Sequence, residues 1–150
     1  MQRTRKQRKA FTLIEVLLVA GILAVLAAFA IPSLMGTANK AKIDIARAAI
    51  GPNGPIAKAL DSYTWAMGTF PETDDGLEAL MQTKDEAGDD RYDGPYLKND
   101  KIADPWNNPY EYKSPGDVHE DGYDLWSRGP DGIDDEGKEG SDDIKNWAEK

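Results

Sequence analysis

Carboxylates are concentrated near the C-terminal end of the chain, in a stretch that also contains several glycines. Seven acidic residues lie between positions 131 and 143, against one lysine. Oxygen ligands combined with glycines that allow tight bends suit a calcium ion. The stretch is not an EF-hand, because Ile133 occupies the third loop position and Asp142 the twelfth, where a glutamate belongs. A solvated acidic surface is the other interpretation, and it is the usual state of such a run.

Two apolar residues beyond this stretch, Ile144 and Trp147, predict that its far end docks on a core. Docking both ends brings the carboxylates together, and like charges at short distance repel unless a cation lies between them. The pattern therefore keeps a metal site open as a hypothesis.

Glu15 is a second notable carboxylate, because it lies inside the otherwise apolar residues 11–31. At about 1.5 Å per residue, such a helix is roughly 31 Å long, close to the thickness of a bilayer core. A charge there costs on the order of a few kcal/mol, so it usually has a partner and a role. Five basic residues within positions 1–10 predict a cytoplasmic N-terminus and an exported body. A secretory signal peptide cut after Ala30 is the alternative.

Composition excludes several function classes. The chain has 18 Lys and Arg against 27 Asp and Glu, which argues against nucleic acid as a partner. Cysteine is absent, so no disulfide can support the fold. The single histidine, His119, lies in a polar turn and reads as a surface loop residue, and no nucleophile elbow or phosphate-binding loop is present. The sequence therefore predicts a protein that is not an enzyme.

The elements that position these groups follow from periodicity and breaker residues. The apolar helix should continue to Ile50 with a bend near Pro32, and the breaker cluster at 51–55 should separate it from a second helix. Alternating apolar residues predict short antiparallel strands, and hence an α+β fold. The predicted elements are a helix resuming at 56–63, a short helix at 74–83 capped by Thr73, an exposed loop at 84–95, and strands near Trp106, Tyr110, Tyr112 and 123–127.

The residues KAFTLIEV, at positions 9–16, resemble the signal of type IV pilins and pseudopilins. The resemblance implies that prepilin peptidase removes the basic leader, residues 1–10, by cutting between Ala10 and Phe11. Phe11 then carries a methylated N-terminal amine. Glu15, the fifth residue from Phe11, would pair with the amine of a neighbouring subunit during assembly. The chain departs from the family at Ala10, where glycine is usual.

Four further motifs resemble the major pseudopilin of type II secretion systems: FPETDDGLEALM, DPWNNPYEY, GYDLWSRGPDG and DDIKNW. The resemblance implies a pilin-like α+β fold, in which a long N-terminal transmembrane helix packs on a small antiparallel sheet. It divides the chain into the leader, a transmembrane and assembly helix at 11–35, and a periplasmic globular domain at 36–150.

The same resemblance implies calcium in the C-terminal loop, where many pilins have a disulfide. Its ligands would be Asp131, Asp142 and Asp143 through their side chains and Arg128 through its carbonyl. Asp134 and Ser141 are weaker candidates.

The function implied is that of a structural subunit, single-pass in the bacterial inner membrane with its C-terminal domain in the periplasm. It would polymerise into a pseudopilus that helps drive folded proteins across the outer membrane. Its partners would be further copies of itself, minor pseudopilins, the inner-membrane assembly platform and prepilin peptidase. A subunit of a type IV pilus or of a DNA-uptake pilus is the alternative, and a binding module cut after Ala30 is a third.

Overall fold

The structure is a computed structural model that describes residues 11–98 and 102–148, with the side chains of 30–35 outside the description. The predicted leader, including Ala10, therefore lies outside the described residues. The chain divides into two compact units, residues 1–38 and 39–150. The domain boundary predicted between residues 35 and 36 stays a prediction.

Helix α1 runs from Leu13 to Ile50, which confirms the predicted continuation of the apolar helix. Its first part carries many large apolar side chains that are more than half exposed, among them Phe11 beside the helix start and Leu13 and Phe29 within it. Among the described residues, no helix meets the combined requirements of length and hydropathy for crossing a membrane. The bend predicted at Pro32 stays a prediction.

A turn at residues 51–54 separates α1 from α2, Pro55–Met67, so the predicted interruption is confirmed. Pro55 occupies the first turn of α2, where its missing N–H leaves no bond unmade. Gly68 ends α2 in the left-handed conformation, with φ of 89°, and its N–H donates to the carbonyl of Thr64. The second helix is longer than the predicted 56–63 at its C-terminal end.

The predicted helix at 74–83 is wrong. A turn is followed by a 3-10 helix, Leu77–Leu80, and Gly76 with φ of 60° interrupts the helical backbone. Thr73 does not cap it, because its hydroxyl donates to the carbonyl of Ser114 at 2.9 Å and accepts from the Ser114 amide at 3.0 Å. Two long-range hydrogen bonds to Ser114 therefore replace the predicted local cap.

The prediction of an exposed loop at 84–95 is wrong in part. It contains a short helix, α3, Lys84–Ala87, and Tyr92 is 1 % exposed. The Tyr92 hydroxyl donates to the carbonyls of Ala79 and Gln82 at 2.8 and 2.9 Å. Burial raises the pKa of Tyr92 to about 12. A buried tyrosine thus anchors residues 84–95, although their charged side chains predicted an exposed loop.

The sheet has three antiparallel strands in the order β1-β2-β3. They are β1, Glu111–Lys113, β2, Asp124–Ser127, and β3, Ile144–Lys145. Tyr112 lies opposite Leu125, and Ser127 lies opposite Ile144. The antiparallel prediction is confirmed, although Trp106 lies in a turn and β3 was not predicted as a strand.

One apolar core lies within the second unit. Leu125 from β2 and Ile144 from β3 pack with Ala46 and Ile50 from the end of α1 and with Leu60 from α2. All five side chains are at most 5 % exposed. The predicted docking on the core is confirmed for Ile144, which holds the end of the acidic stretch. Trp147 lies outside the core cluster, is half-buried and packs edge-to-face against Trp126.

Gly54→Ala tests the turn between the two helices. A Cβ at position 54 would collide with the carbonyl oxygen of Ala49 and lie 2.6 Å from that of Ala48. We expect the substitution to lower the free energy of unfolding by about 1–3 kcal/mol, because backbone atoms must move. Gly36→Ala is the control, since its Cβ meets nothing within 4 Å. Equal unfolding midpoints for the two variants would contradict the close packing of Gly54 against the carbonyl groups of Ala48 and Ala49.

Candidate metal centre and assembly helix

The acidic loop connects β2 to β3, so its two ends are held by strand pairing. Ser127 and Ile144 are paired across the sheet, and residues 128–143 form the connection between them. Gly129, with φ of 65°, lies against the backbone of Asp142, where any side chain at 129 would collide with the Asp142 carbonyl oxygen. The two ends of the loop therefore touch.

Three carboxylates converge inside this loop. Oxygen atoms of Asp135, Asp142 and Asp143 lie within 4.8 Å of one another. Asp143 is 7 % exposed, and its Oδ2 accepts from the Gly137 amide at 2.8 Å. Its Oδ1 is buried and receives no hydrogen bond from the described residues. A buried carboxylate oxygen without a donor is costly, so this atom fits a role as a cation ligand.

The electrostatics of Asp143 agree with this arrangement. Burial raises the pKa of its carboxyl group, backbone hydrogen bonds, chiefly from Gly137 and also from Asp135, lower it, and the negative charges of Asp134 and Asp135 raise it again, so the net pKa is raised. A cation among these carboxylates would offset their repulsion and give the Oδ1 atom of Asp143 a partner. Carboxylate oxygens are the ligands that calcium prefers, and the donor set fits that ion.

The structure brings together two of the four predicted ligands, Asp142 and Asp143. Asp131 lies outside the cluster of three, where its Oδ1 accepts from the Ile133 amide at 2.8 Å and its own amide donates to Asp142 at 3.3 Å. The role of Asp131 as a ligand stays a prediction. Asp135 was missed, because counting loop positions gives no indication of which acids turn inward.

The other predicted ligand residues have defined contacts of their own. Arg128 pairs through its side chain with Glu111, at 2.6 Å, and its carbonyl stays a predicted ligand. Asp134 accepts from the indole of Trp126 at 3.0 Å and from the Glu136 amide at 2.9 Å. Ser141 donates to the Lys138 carbonyl at 2.8 Å. The weaker candidates thus shape the outside of the loop.

His119 lies in a surface loop, as predicted, but it also has a buried partner. Its Nδ1 lies 2.9 Å from Oδ1 of Asp124, which is 3 % exposed. Burial tends to raise the pKa of Asp124, and hydrogen bonds from the Val118 amide and from His119 outweigh it, so the pKa is lowered. The contact holds the loop before β2.

Glu15 lies at the beginning of α1, where it forms a long capping box with Thr12. The Thr12 amide lies 3.4 Å from Glu15 Oε2, and the Glu15 amide donates to the Thr12 hydroxyl at 3.3 Å. The carboxylate is therefore directed back toward the helix start, close in sequence to Phe11. A negative charge in this position also suits the helix dipole.

Residues 5–31 match the prokaryotic N-terminal methylation motif. Combined with a small folded domain built on an antiparallel sheet, this match places the protein in the class of pilin-like subunits. Residues 33–147 match the family described as type II secretion system (T2SS), protein G, and the chain belongs to that family.

Relatives resemble the chain over nearly its whole length. The type II secretion system core protein G of Pseudomonas aeruginosa is 40% identical over 148 residues, covering 95% of this chain and 97% of that protein. The protein of the same name from Vibrio cholerae is 41% identical over 149 residues, covering 98% and 96%. These matches confirm the predicted family.

A solved structure confirms the predicted pilin-like fold. The crystal structure of the major pseudopilin from the type 2 secretion system of enterohaemorrhagic Escherichia coli matches with a TM-score of 0.58 and 32% identity. The match covers 76% of this chain and 89% of that one. The matches favour the predicted type II secretion subunit over the type IV pilus, DNA-uptake and secreted-module alternatives.

Gly129→Ala tests the contact between the two loop ends. We expect it to lower the free energy of unfolding by about 1–3 kcal/mol more than Gly140→Ala, because only Gly129 faces the Asp142 carbonyl. Both glycines have positive φ, so the comparison cancels the cost of the left-handed backbone. Thermal or urea unfolding measures the two losses in free energy of unfolding. Equal losses would show that the close contact between Gly129 and the Asp142 carbonyl is not needed for stability.

Proposed function

We propose that this chain is the structural subunit of the pseudopilus of a type II secretion system and acts by polymerisation rather than by catalysis. The single observation that carries this is a family match over residues 33–147 on a chain whose N-terminal helix exposes its large apolar side chains. An exposed apolar surface of this extent indicates that a partner covers it, and further copies of the same helix can be that partner. The filament would help drive folded proteins across the outer membrane.

Before assembly, the subunit is a single-pass protein of the inner membrane with its C-terminal domain in the periplasm. The support for this step is the sequence, in which basic residues precede an apolar segment of membrane-spanning length. Prepilin peptidase cuts between Ala10 and Phe11, and Phe11 is methylated. The methylation motif matched at residues 5–31 supports both modifications.

During assembly, Glu15 pairs with the N-terminal amine of a neighbouring subunit and sets the register between helices. A carboxylate and an ammonium group that are each costly to bury become tolerable as a pair. The other partners are minor pseudopilins and the inner-membrane assembly platform. The relatives' shared name, type II secretion system core protein G, supports assembly with other components of such a system.

Substitutions at Glu15 separate its charge from its capping role. Glu15→Ala removes both, whereas Glu15→Gln keeps a side chain that can complete the capping box with Thr12. If the amine pair sets the register, both variants insert and fold but form few filaments. Filament yield is measured by shearing and by electron microscopy, with Glu120→Gln as a control at an exposed acid of the folded domain. Normal assembly of Glu15→Gln would reject the charge pair and leave capping as the role of Glu15.

We also propose that the C-terminal loop binds one calcium ion, held by Asp135, Asp142 and Asp143. The buried, unpaired Oδ1 of Asp143 supports this, together with the convergence of the three carboxylates. The predicted ligands Asp131 and the Arg128 carbonyl remain further candidates. When bound, the ion would neutralise the loop and fasten it to the sheet, so its role is structural.

Asp143→Asn tests the metal in the full chain, purified in mild detergent. At about a hundredfold excess over its dissociation constant, calcium should stabilise the wild type by about 2.7 kcal/mol. The variant should lose this gain, yet unfold in chelator at the same or a higher temperature, because a repelled charge is gone. Glu139→Gln, at an exposed acid outside the cluster, should respond to calcium like the wild type. A wild type that responds equally to magnesium, or not at all, would reject the calcium proposal.

A further inference from the structure

A buried hydrogen-bond chain links an earlier turn of the protein to the beginning of the acidic loop. The Ser127 hydroxyl donates to Oδ2 of Asp104 at 2.6 Å, and both residues are at most 5 % exposed. The same hydroxyl oxygen accepts from the Gly129 amide at 3.2 Å. A carboxylate 23 residues upstream of Ser127 thus fixes the hydroxyl that holds Gly129.

Asp104 is itself fixed by the turn that follows it. Its Oδ1 accepts from the amides of Trp106 and Asn108 at 3.0 and 2.9 Å, and its own amide donates to the Asn108 carbonyl at 2.8 Å. Asn107 takes the left-handed conformation, with φ of 72°, which asparagine tolerates well. Two amides and a hydroxyl therefore satisfy both oxygens of this buried carboxylate, which leaves it unsuited to bind an ion directly.

The turn and the serine contact the loop at two separate places. Gly129, held by Ser127, lies against the backbone of Asp142. Gly132 lies beside Asn108, whose Nδ2 would be 3.4 Å from a Cβ built there. Both approaches place the start of the loop beside neighbouring segments, and the one at Gly129 reaches the backbone of the proposed ligand Asp142.

We propose that Asp104 and Ser127 are positioning residues that hold the loop in its ion-binding shape before an ion arrives. This inference rests on the proposed calcium site. Charge-assisted hydrogen bonds are short and strong, and the Ser127–Asp104 bond has that character. A preorganised loop loses less conformational entropy when it binds the ion. The Ser127–Asp104 hydrogen bond would therefore raise the affinity for the ion although neither side chain contacts it.

The test compares Asp104→Asn and Ser127→Ala with the wild-type full chain in detergent. Groups that orient metal ligands typically change metal affinity by about 10–100-fold when mutated, and we expect a loss of that size for calcium. In metal-free protein, hydrogen exchange at the Gly129 and Gly137 amides should become faster, on the order of tenfold. The double variant should lose little more affinity than Ser127→Ala, because Ser127→Ala removes the hydrogen bond completely, whereas an asparagine at position 104 can still donate to the Ser127 hydroxyl.

Tyr92→Phe is the matched control, since it removes a buried hydroxyl with two carbonyl partners elsewhere in the same unit. It should lower the unfolding temperature equally with calcium and with chelator, and leave calcium affinity and loop exchange unchanged. If Ser127→Ala behaves like this control, the inference is overturned and the Ser127–Asp104 hydrogen bond only stabilises the fold.

Hydrogen exchange also separates this inference from the proposed metal site. Unchanged exchange at the Gly137 amide in Ser127→Ala overturns the inference whether or not calcium binds, because that amide bonds to Asp143 and not to Ser127. Faster exchange in the variant, combined with a wild type that does not bind calcium, supports the shaped loop and rejects the calcium site.

Discussion

The pairing of β2 with β3 is the interaction on which the C-terminal third of the protein depends. Placing Ser127 opposite Ile144 buries Ile144 and brings Asp142 and Asp143 beside Asp135. Burying an isoleucine side chain contributes about 1.5–3 kcal/mol. Two unit charges 4–5 Å apart in a protein surface environment repel by about 3–4 kcal/mol. Because Asp142 is exposed and water screens its charge, the net repulsion is smaller than this figure, but it opposes the gain from burying Ile144.

The stabilisation that a disulfide would give this loop can be compared with the stabilisation that a bound cation would give it. The chain contains no cysteine, and the connection between β2 and β3 covers residues 128–143. A disulfide closing a loop of about 15 residues contributes about 3 kcal/mol by restricting the unfolded chain. An ion at a hundredfold excess over its dissociation constant contributes about 2.7 kcal/mol. At that excess the ion stabilises the folded loop by about as much as such a disulfide would, and the relief of carboxylate repulsion is part of its binding free energy.

Local patterns in the sequence predicted α1 and α2, the break between them, and a strand at 123–127 that the structure has as β2. The same reasoning failed where a distant partner decides the structure. Thr73 has every local property of a helix cap, yet it bonds to Ser114, 41 residues away. Asp135 could not be chosen from seven acids, because only the folded loop determines which carboxylate turns inward. No local pattern marks Asp104 as a partner of Ser127, because the two residues are 23 positions apart and meet only in the folded chain.

In the proposed assembly, the carboxylate of Glu15 would have one partner before assembly and another within the filament. In the structure its contacts with Thr12 are 3.3–3.5 Å long and exposed, so the cap contributes at most about 1 kcal/mol. Hydrogen bonds between oppositely charged groups are roughly twice as strong as neutral ones, and removal from water strengthens them further. Beside a neighbouring amine in an apolar bundle, the ion pair would outweigh the cap. The weak cap would keep the carboxylate near the helix start until that amine arrives, and the stronger pair would then replace it.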